Sequence, residues 1–482
     1  MAASLSPSPT ILVPHLPPKT LVGIDLITFT STPNFHGIRD LPTGWHFLYT
    51  GTTESLSLRS GGWFYVGDID ETHQNAGAVV STAREPRGPE IIIWRWDSNT
   101  ETLVPLCAAS DIDQQEAMRH KANLGATWQA GGLFGYRSRV PPSVISQRAA
   151  AAPEDQQVAA QNHGADEENE QEGRRDWEGL TDRLSPKLLS RVIGDPDVDV
   201  DGRPRWMVTS ASTAPRDSDD IPGLPDPVQE PADSSKVTGE EESEFSFLPI
   251  DLKRTWREGA VGRERTEAAQ DRSWALGDLL RQVSESTTGD DDGRRAEAQV
   301  LGELQFTFLM VLTLMNYSCL QQWKRLLELI LTCQAAIKER ELFVRDALRL
   351  LLLQLKRCGD VEGGLFDLDG EEGGDFVRKL LMKFRRSLYV VVDGAGSAVK
   401  NEFAQLEAWV RDEYDWELNR EAVARRGMVQ LEDGEQVELD INDDDEDDEM
   451  GEYAPVIVDL GENTPDSPLQ HDDDDGLDDM RM

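Results

Sequence analysis

The feature that most constrains the fold is a series of apolar residues that recur every three or four positions between Leu301 and Cys333. Its members are Leu301, Leu304, Phe308, Val311, Met315, Cys319, Trp323, Leu326, Ile330 and Cys333. This spacing is typical of a helix face packed in a core, so Trp323 is predicted to be buried. The weak helix formers at 316–318 interrupt the series, and they predict a helical hairpin instead of one long helix.

Further helical stretches follow the hairpin, and glycine- and aspartate-rich segments separate them. These stretches are Glu341–Lys356, Asp375–Val392 and Val399–Glu417. Together with the hairpin they predict an all-α helical domain over residues 244–425.

The N-terminal part of the chain has a different pattern, rich in β-branched and aromatic residues between clusters of Gly, Pro, Asn and Ser. The clearest stretches are Leu21–Leu26, Trp45–Tyr49, Trp63–Val66 and Ile91–Trp96. They predict an antiparallel β-sandwich or barrel domain over residues 1–140. Within this domain a helix at 111–124 follows the last predicted strand. The predicted fold class is therefore α+β multidomain.

Polar tracts separate these two domains. Residues 141–172 read as a disordered linker, residues 173–193 as a connecting helix, and residues 194–243 as a disordered acidic insertion. Asp197–Gly202 matches the first half of a calcium-binding EF-hand loop. The twelfth position of that loop is Val208 instead of the required Glu, so a solvated acidic loop is the better interpretation.

The charge is strongly acidic, with 90 Asp and Glu against 48 Lys and Arg and a formal net charge of −42. Such a chain should repel nucleic acid and attract basic protein surfaces. Acidic residues are concentrated in a predicted disordered tail, residues 426–482, where Asp443–Glu449 is continuously acidic. Within this tail the β-forming segment 454–460 has no core of its own, so it is predicted to bind a partner as an added strand.

Catalytic and metal-binding patterns are missing from the sequence. The histidines are scattered, and the chain has neither a glycine-rich phosphate loop nor a GxSxG motif. We therefore expect no enzyme activity, no cofactor and no metal. The four cysteines have no CxxC spacing, the longest apolar run is about ten residues against the roughly 20 that a membrane span needs, and no secretory signal is visible. A soluble intracellular protein is expected.

Four stretches, in this order, resemble the splicing factor Aar-two family. The first combines Gly23–Asp25, Phe35–Ile38 and Pro42–Leu48, and the second contains Trp177, Leu180 and Leu184. The third resembles the structural signature of the helical domain, with Gly302, Glu303, Leu304, Phe306, Trp323, Lys324, Arg325 and Leu326. The fourth is the tail segment Ala454, Pro455, Val456, Ile457, Val458, Asp459 and Leu460, which the resemblance assigns to partner binding.

The resemblance implies a pre-mRNA splicing factor that assembles the U5 small nuclear ribonucleoprotein (U5 snRNP). Its partner would be the large pre-mRNA-processing protein of U5, with the tail strand lying between the RNase H-like and Jab/MPN-type domains of that partner. While bound, the factor would hold off RNA and the U5 helicase until the particle matures. The family also implies a location in cytoplasm and nucleus and a place on the route to the tri-snRNP.

Two other functions remain open on the sequence. The acidic tail alone would suit a chaperone for histones or other basic proteins, whose binding would depend on the acid runs and not on the strand. An unrecognised enzyme would instead show a deep pocket with convergent polar groups.

Overall fold

The computed structural model describes residues 8–52, 58–68, 90–140, 156–214, 244–285, 292–358, 373–392, 396–419, 425–430 and 436–441. The strands are β1 Thr10–Leu12, β2 Leu21–Ile24, β3 Ile27–Thr30, β4 Gly37–Arg39, β5 Gly44–Gly51, β6 Arg59–Val66, β7 Ile91–Asp97, β8 Thr102–Pro105, β9 Leu133–Gly135, β10 Asp197–Val198, β11 Pro204–Thr209, β12 Arg425–Gln430 and β13 Gln436–Ile441. The helices are α1 Asp111–Gln129, α2 Gln156–Thr181, α3 Pro186–Ile193, α4 Arg263–Gln270, α5 Ser273–Glu285, α6 Asp292–Leu314, α7 Tyr317–Leu331, α8 Ala336–Glu339, α9 Glu341–Arg357, α10 Gly373–Val391 and α11 Ala398–Tyr414.

Two sheets form the N-terminal part. The six-stranded sheet has the order β10-β11-β6-β5-β2-β3, and all its neighbouring strands are antiparallel. The five-stranded sheet has the order β8-β7-β1-β4-β9 and is mixed, since β1 runs parallel to β7 and β4 runs parallel to β9. Apolar residues of both sheets, among them Ile11, Ile92, Leu48 and Phe64, pack in one cluster, so the sheets form a sandwich.

The central strands of the six-stranded sheet, β5 and β6, are buried on both faces. Successive side chains of a strand point to opposite sides of its sheet. Leu48 and Phe64 face the sandwich, whereas their neighbours Phe47 and Trp63 belong to the cluster built by the helices. That larger cluster is continuous from the sheet through α2 and α3 to α11. The α+β fold class, with an N-terminal β-sandwich and a C-terminal helical region, is confirmed.

The helical hairpin is confirmed as α6 and α7. Met315 between them has a left-handed backbone with φ 55°, and Asn316 caps α7 by accepting a hydrogen bond from the backbone of Cys319 at 2.9 Å. An Asn at this position satisfies one of the unpaired amides of a new helix start. The side chain of Trp323 is 1% exposed, which confirms its predicted burial.

The prediction of a disordered linker over 141–172 is wrong for its second half, where α2 begins at Gln156. This half is polar and shows no apolar period, so its helix depends on specific contacts. Glu170 accepts a hydrogen bond from the backbone of Ser138 at 3.0 Å, and the Asn169 amide donates to the carbonyl of Val140 at 3.1 Å. Residues 141–155 lie outside the described residues.

The prediction of a disordered insertion over 194–243 is wrong for residues 194–214. Strand β11 joins the six-stranded sheet beside β6 and buries Trp206 and Val208, each 1% exposed. Its alternate residue Arg205 is also 1% exposed, because Asp199 neutralises it at 2.6 Å. Residues 215–243 lie outside the described residues.

Two further boundaries differ from the sequence predictions. Residues 244–262 precede the helical region without being helical themselves, and the last helix ends at Tyr414. The C-terminal unit, Arg420–Met482, contains the antiparallel pair β12 and β13.

Candidate functional site

The sequence singles out two groups of residues, a predicted partner-binding segment and a structural signature of the helical domain. The partner-binding segment Ala454–Leu460 lies outside the described residues. The structural signature lies on α6 and α7, and most of its side chains are buried where these helices meet α2, α3 and the six-stranded sheet. We call this meeting region the junction.

Gly302 allows α6 to approach the turn between α2 and α3. A Cβ atom at this position would lie 2.7 Å from the carbonyl oxygen of Arg183 and 2.5 Å from a methyl group of Leu188. Packing between these helices therefore requires glycine at position 302. Gln305 holds the same region: its amide donates to the carbonyl of Gly179 in the last turn of α2 at 2.9 Å, and its oxygen accepts from the backbone of Arg183 in the turn at 3.0 Å.

Glu303 is a fully buried carboxylate, with an exposed fraction of 0%. It pairs with Arg191 on α3 at 2.7 Å and accepts a hydrogen bond from the side chain of Gln322 on α7 at 2.8 Å. It also accepts from the backbone amide of Leu248 at 3.0 Å, and Gln322 donates to the carbonyl of the same residue at 3.0 Å. One carboxylate thus joins two helices and the segment that leads into the helical region.

The buried tryptophan of the signature connects α7 to α9 and α6. The indole nitrogen of Trp323 donates to the side-chain oxygen of Gln354 at 3.0 Å, and the Gln354 amide donates to the carbonyl of Leu304 at 3.1 Å. Phe306 reaches the β-sandwich, with its ring centre 6.4 Å from that of Trp63. Leu326 is also buried, with an exposed fraction of 0%.

The two basic residues of the signature lie apart from the buried ones. Lys324 and Arg325 are half-buried, and the ammonium of Lys324 lies 5.1 Å from the ring centre of Phe376 on α10. A tryptophan beside two basic residues is a combination also seen at nucleic-acid surfaces, but stacking on a base requires an exposed ring, and Trp323 is 1% exposed.

The junction also contains residues that the sequence patterns did not single out for this role. Arg59, at the start of β6, donates to the carbonyl of Thr313 in the last turn of α6 at 2.8 Å. The Asn316 amide donates to the carbonyl of Ser212 at 2.8 Å. These partners are distant in the chain, so no local pattern could have revealed them.

Two tryptophans from the stretches that resemble the Aar-two family link the sandwich to helices α2 and α3. The Trp45 indole donates to the carbonyl of Leu184 at 3.2 Å, and the Trp177 indole donates to the carbonyl of Trp45 at 2.7 Å. With the contacts of Arg59 and Asn316, they hold the sandwich and the helices as one body.

A His–Asp–Tyr cluster inside the sandwich has the composition of a catalytic site but not its accessibility. Asp25 lies 2.8 Å from Nδ1 of His46 and 2.6 Å from the hydroxyl of Tyr136, while Nε2 of His46 lies 2.9 Å from the carbonyl of Pro42. Burial by itself would lower the pKa of His46, but the adjoining Asp25 carboxylate outweighs it, and the pKa is raised. Exposed fractions of 1% for His46 and Asp25 give the cluster a structural role.

The segment resembling an EF-hand is a salt-bridged turn. Asp199 accepts hydrogen bonds from the backbone amides of Asp201 and Arg203 at 3.0 and 2.9 Å and pairs with buried Arg205. Within the described residues, no group of three or more His, Cys, Asp or Glu side chains is placed to hold a metal ion. In the same part of the chain, no helix is long and apolar enough to cross a membrane.

Family models match both halves of the chain. The model described as AAR2 N-terminal domain matches residues 7–194, and the model described as AAR2 C-terminal repeat region matches residues 247–419. The Protein AAR2 homolog of Homo sapiens is 25% identical over 418 residues, which cover 86% of this chain and 90% of that protein. The Protein AAR2 homolog of Mus musculus is 24% identical over 419 residues, with the same coverage of 86% and 90%. The tail segment 454–460 lies beyond the two ranges that the family models match.

Proposed function

The chain belongs to the AAR2 family, and from that premise we propose that it binds the large pre-mRNA-processing protein of U5 through its C-terminal tail. AAR2 is the Aar-two family that the sequence resembles. Membership in it supports a splicing-related role in U5 snRNP assembly. In the proposal the protein is a non-catalytic assembly factor of cytoplasm and nucleus. It holds off RNA and the U5 helicase until the particle matures.

The observation that carries the tail proposal is the isolation of segment 454–460. Val456, Ile457 and Val458 are strong β-formers, and acidic sequence surrounds them on both sides. In strand addition the backbone hydrogen bonds supply affinity, and alternate side chains enter pockets of the partner. We propose that this strand docks between the RNase H-like and Jab/MPN-type domains of the partner.

The junction supports a role as a scaffold. Its hydrogen bonds and the continuous apolar cluster hold the sandwich and the helices together, so a partner would meet a surface of fixed shape. A preformed surface loses less conformational entropy on binding than a flexible one.

The test is the affinity of the full-length Ile457→Pro variant for the purified large U5 protein. Proline removes a backbone donor from the strand and fixes φ, while the net charge stays the same. We expect the dissociation constant to rise at least about tenfold, equivalent to about 1.4 kcal/mol. An unchanged dissociation constant would rule out strand addition at this segment.

A control variant separates this function from an acidic chaperone. Substituting Asn for Asp443, Asp444 and Asp445 removes charge from the tail and leaves the strand intact. Strand-mediated binding should largely persist at physiological salt, where exposed charges are screened beyond about 8 Å. Loss of binding in this variant, with normal binding by Ile457→Pro, would favour the chaperone for basic proteins.

A further inference from the structure

A groove in the helical region, remote in sequence from the tail, has the composition of a cation-binding site. It lies between segment 249–258 and helix α5, with a volume of about 420 Å³. Two half-buried tryptophans, Trp256 and Trp274, line it together with the apolar Leu279 and Leu329. Small-ligand sites occupy about 300–1,000 Å³, so this groove can receive one side chain of a partner with its flanking backbone.

One carboxylate of the groove, that of Glu258, is available to a positive ligand. Three carboxylates, of Asp251, Glu258 and Asp278, line it with one guanidinium, of Arg254. Asp278 is engaged by Arg281 at 2.8 Å, whereas Glu258 is exposed and makes no side-chain hydrogen bond or ion pair with another described residue. An aromatic ring attracts a cation over its face, and a nearby carboxylate adds to that attraction.

The structure contains an example of such a cation–π contact at the ring of Trp256. The guanidinium carbon of Arg265 lies 5.5 Å from the ring centre of Trp256, within the roughly 6 Å over which cation–π attraction acts. A guanidinium is planar and weakly hydrated, so it stacks on tryptophan better than an ammonium does.

The walls of the groove are held in place by hydrogen bonds, of which those to Leu248 are buried. Leu248, at the start of one wall, is anchored through its backbone by Glu303 and Gln322. Asp271 fixes the start of α5 by accepting from the backbone amides of Ser273 and Gln334 at 3.0 and 2.8 Å. The groove is therefore formed before any ligand arrives, which lowers the entropy lost on binding.

We propose that this groove binds an arginine side chain in an extended basic segment of a partner protein. The guanidinium lies against Trp274, since Arg265 already covers one face of Trp256, and Glu258 and Asp251 face its positive charge. This inference is independent of the proposed tail strand, since it uses other residues and its test omits the large U5 protein.

The experiment measures binding of a fluorescein-labelled peptide of alternating glycine and arginine to the full-length protein by anisotropy at physiological salt. A peptide with citrulline at every arginine position has the same shape without the charge, and a third peptide carries lysine. We expect Trp274→Ala and Glu258→Gln each to weaken binding of the arginine peptide about fivefold or more. Glu258 is exposed, so its variant tests the groove without a risk of unfolding.

The matched control is Glu264→Gln, an exposed residue of α4 that does not line the groove. It makes the same change in net charge, so general attraction to an acidic chain would weaken equally in both glutamine variants. Equal effects of Glu258→Gln and Glu264→Gln, or equal binding of the citrulline peptide, would overturn the proposal. Lysine binding as tight as arginine would overturn the assignment to a guanidinium.

Discussion

At the scale of single residues, Glu303 illustrates how much a buried carboxylate depends on its partners. Its exposed fraction is 0%, and it binds Arg191, Gln322 and the backbone of Leu248. Removing one partner of a buried ion pair leaves the other charge without compensation.

We expect Glu303→Ala to lower the free energy of unfolding by about 3–5 kcal/mol, measured by urea denaturation. The matched control is Glu297→Ala on the same helix, because Glu297 pairs with Arg340 at the same distance of 2.7 Å, but that pair is only half-buried and is partly screened by solvent. Exposed pairs contribute about 0–1 kcal/mol. Similar losses in the two variants would show that burial of Glu303 does not govern its contribution.

His46 predicts a dependence of stability on pH. Its pKa in the folded state is raised above 6.5 by Asp25, so the folded state binds the proton more tightly than the unfolded state does. This contribution is fully present below pH 6.5 and is lost as the pH rises through the raised value. The stability of wild type should therefore fall above pH 6.5 more steeply than that of His46→Gln, and parallel curves would exclude this coupling.

At the scale of elements, the helical hairpin is the part that sequence analysis could predict best. Its apolar period is long and regular, and the polar interruption at Asn316 coincides with the cap of α7. Strand β11 also carries a local signal, because Trp206 and Val208 alternate with Arg205 and Met207, which lie on the opposite face of the sheet. The aspartates before it mask that signal, and the pairing of Asp199 with Arg205 is visible only in the fold.

Helix α2 and the contacts of the junction could not be predicted from local patterns. The first turns of α2 have no apolar face, and contacts with residues 138–140 hold the helix. The hydrogen bond of Arg59 spans 254 residues, a separation at which neither propensity nor periodicity carries information. The signature residues Gly302 and Glu303 were predicted only by resemblance, and their packing roles became clear from their neighbours in space.

For the hairpin we expect Trp323→Ala to destabilise the protein by about 3–5 kcal/mol, because it leaves a cavity and an unpaired Gln354. Trp323→Phe should be milder, since the phenyl ring fills most of the space while the hydrogen bond of the indole is lost. Thermal melting of both variants checks this order. A melting temperature of Trp323→Ala equal to that of wild type would contradict the structural role of Trp323.

At the scale of the whole molecule, residues 1–419 behave as one unit, although the sequence suggests two domains. Phe47, Trp63 and Trp206 of the sandwich are 0%, 0% and 1% exposed because the helices cover them. A large aromatic side chain buries about 150–250 Å², so separating the two parts would expose a substantial apolar face.

We therefore expect a fragment of residues 1–214 to aggregate or to bind a hydrophobic dye, whereas residues 1–419 stay folded. Size-exclusion chromatography and near-ultraviolet circular dichroism distinguish these outcomes. A monodisperse fragment 1–214 with the aromatic signal of an ordered sandwich would show that the two parts fold independently.

The hydrogen bond between Arg59 and Thr313 has a consequence for the order of events during synthesis. A ribosome adds about 5–20 residues each second, so Thr313 emerges roughly 10–50 s after Arg59. Throughout most of this interval the face around Trp63 lacks helix α6, whose Phe306 packs near Trp63 in the finished protein. Until then the sandwich exposes an apolar face through which nascent chains could aggregate. The yield of folded protein should therefore depend on translation speed and on chaperones that bind exposed apolar residues.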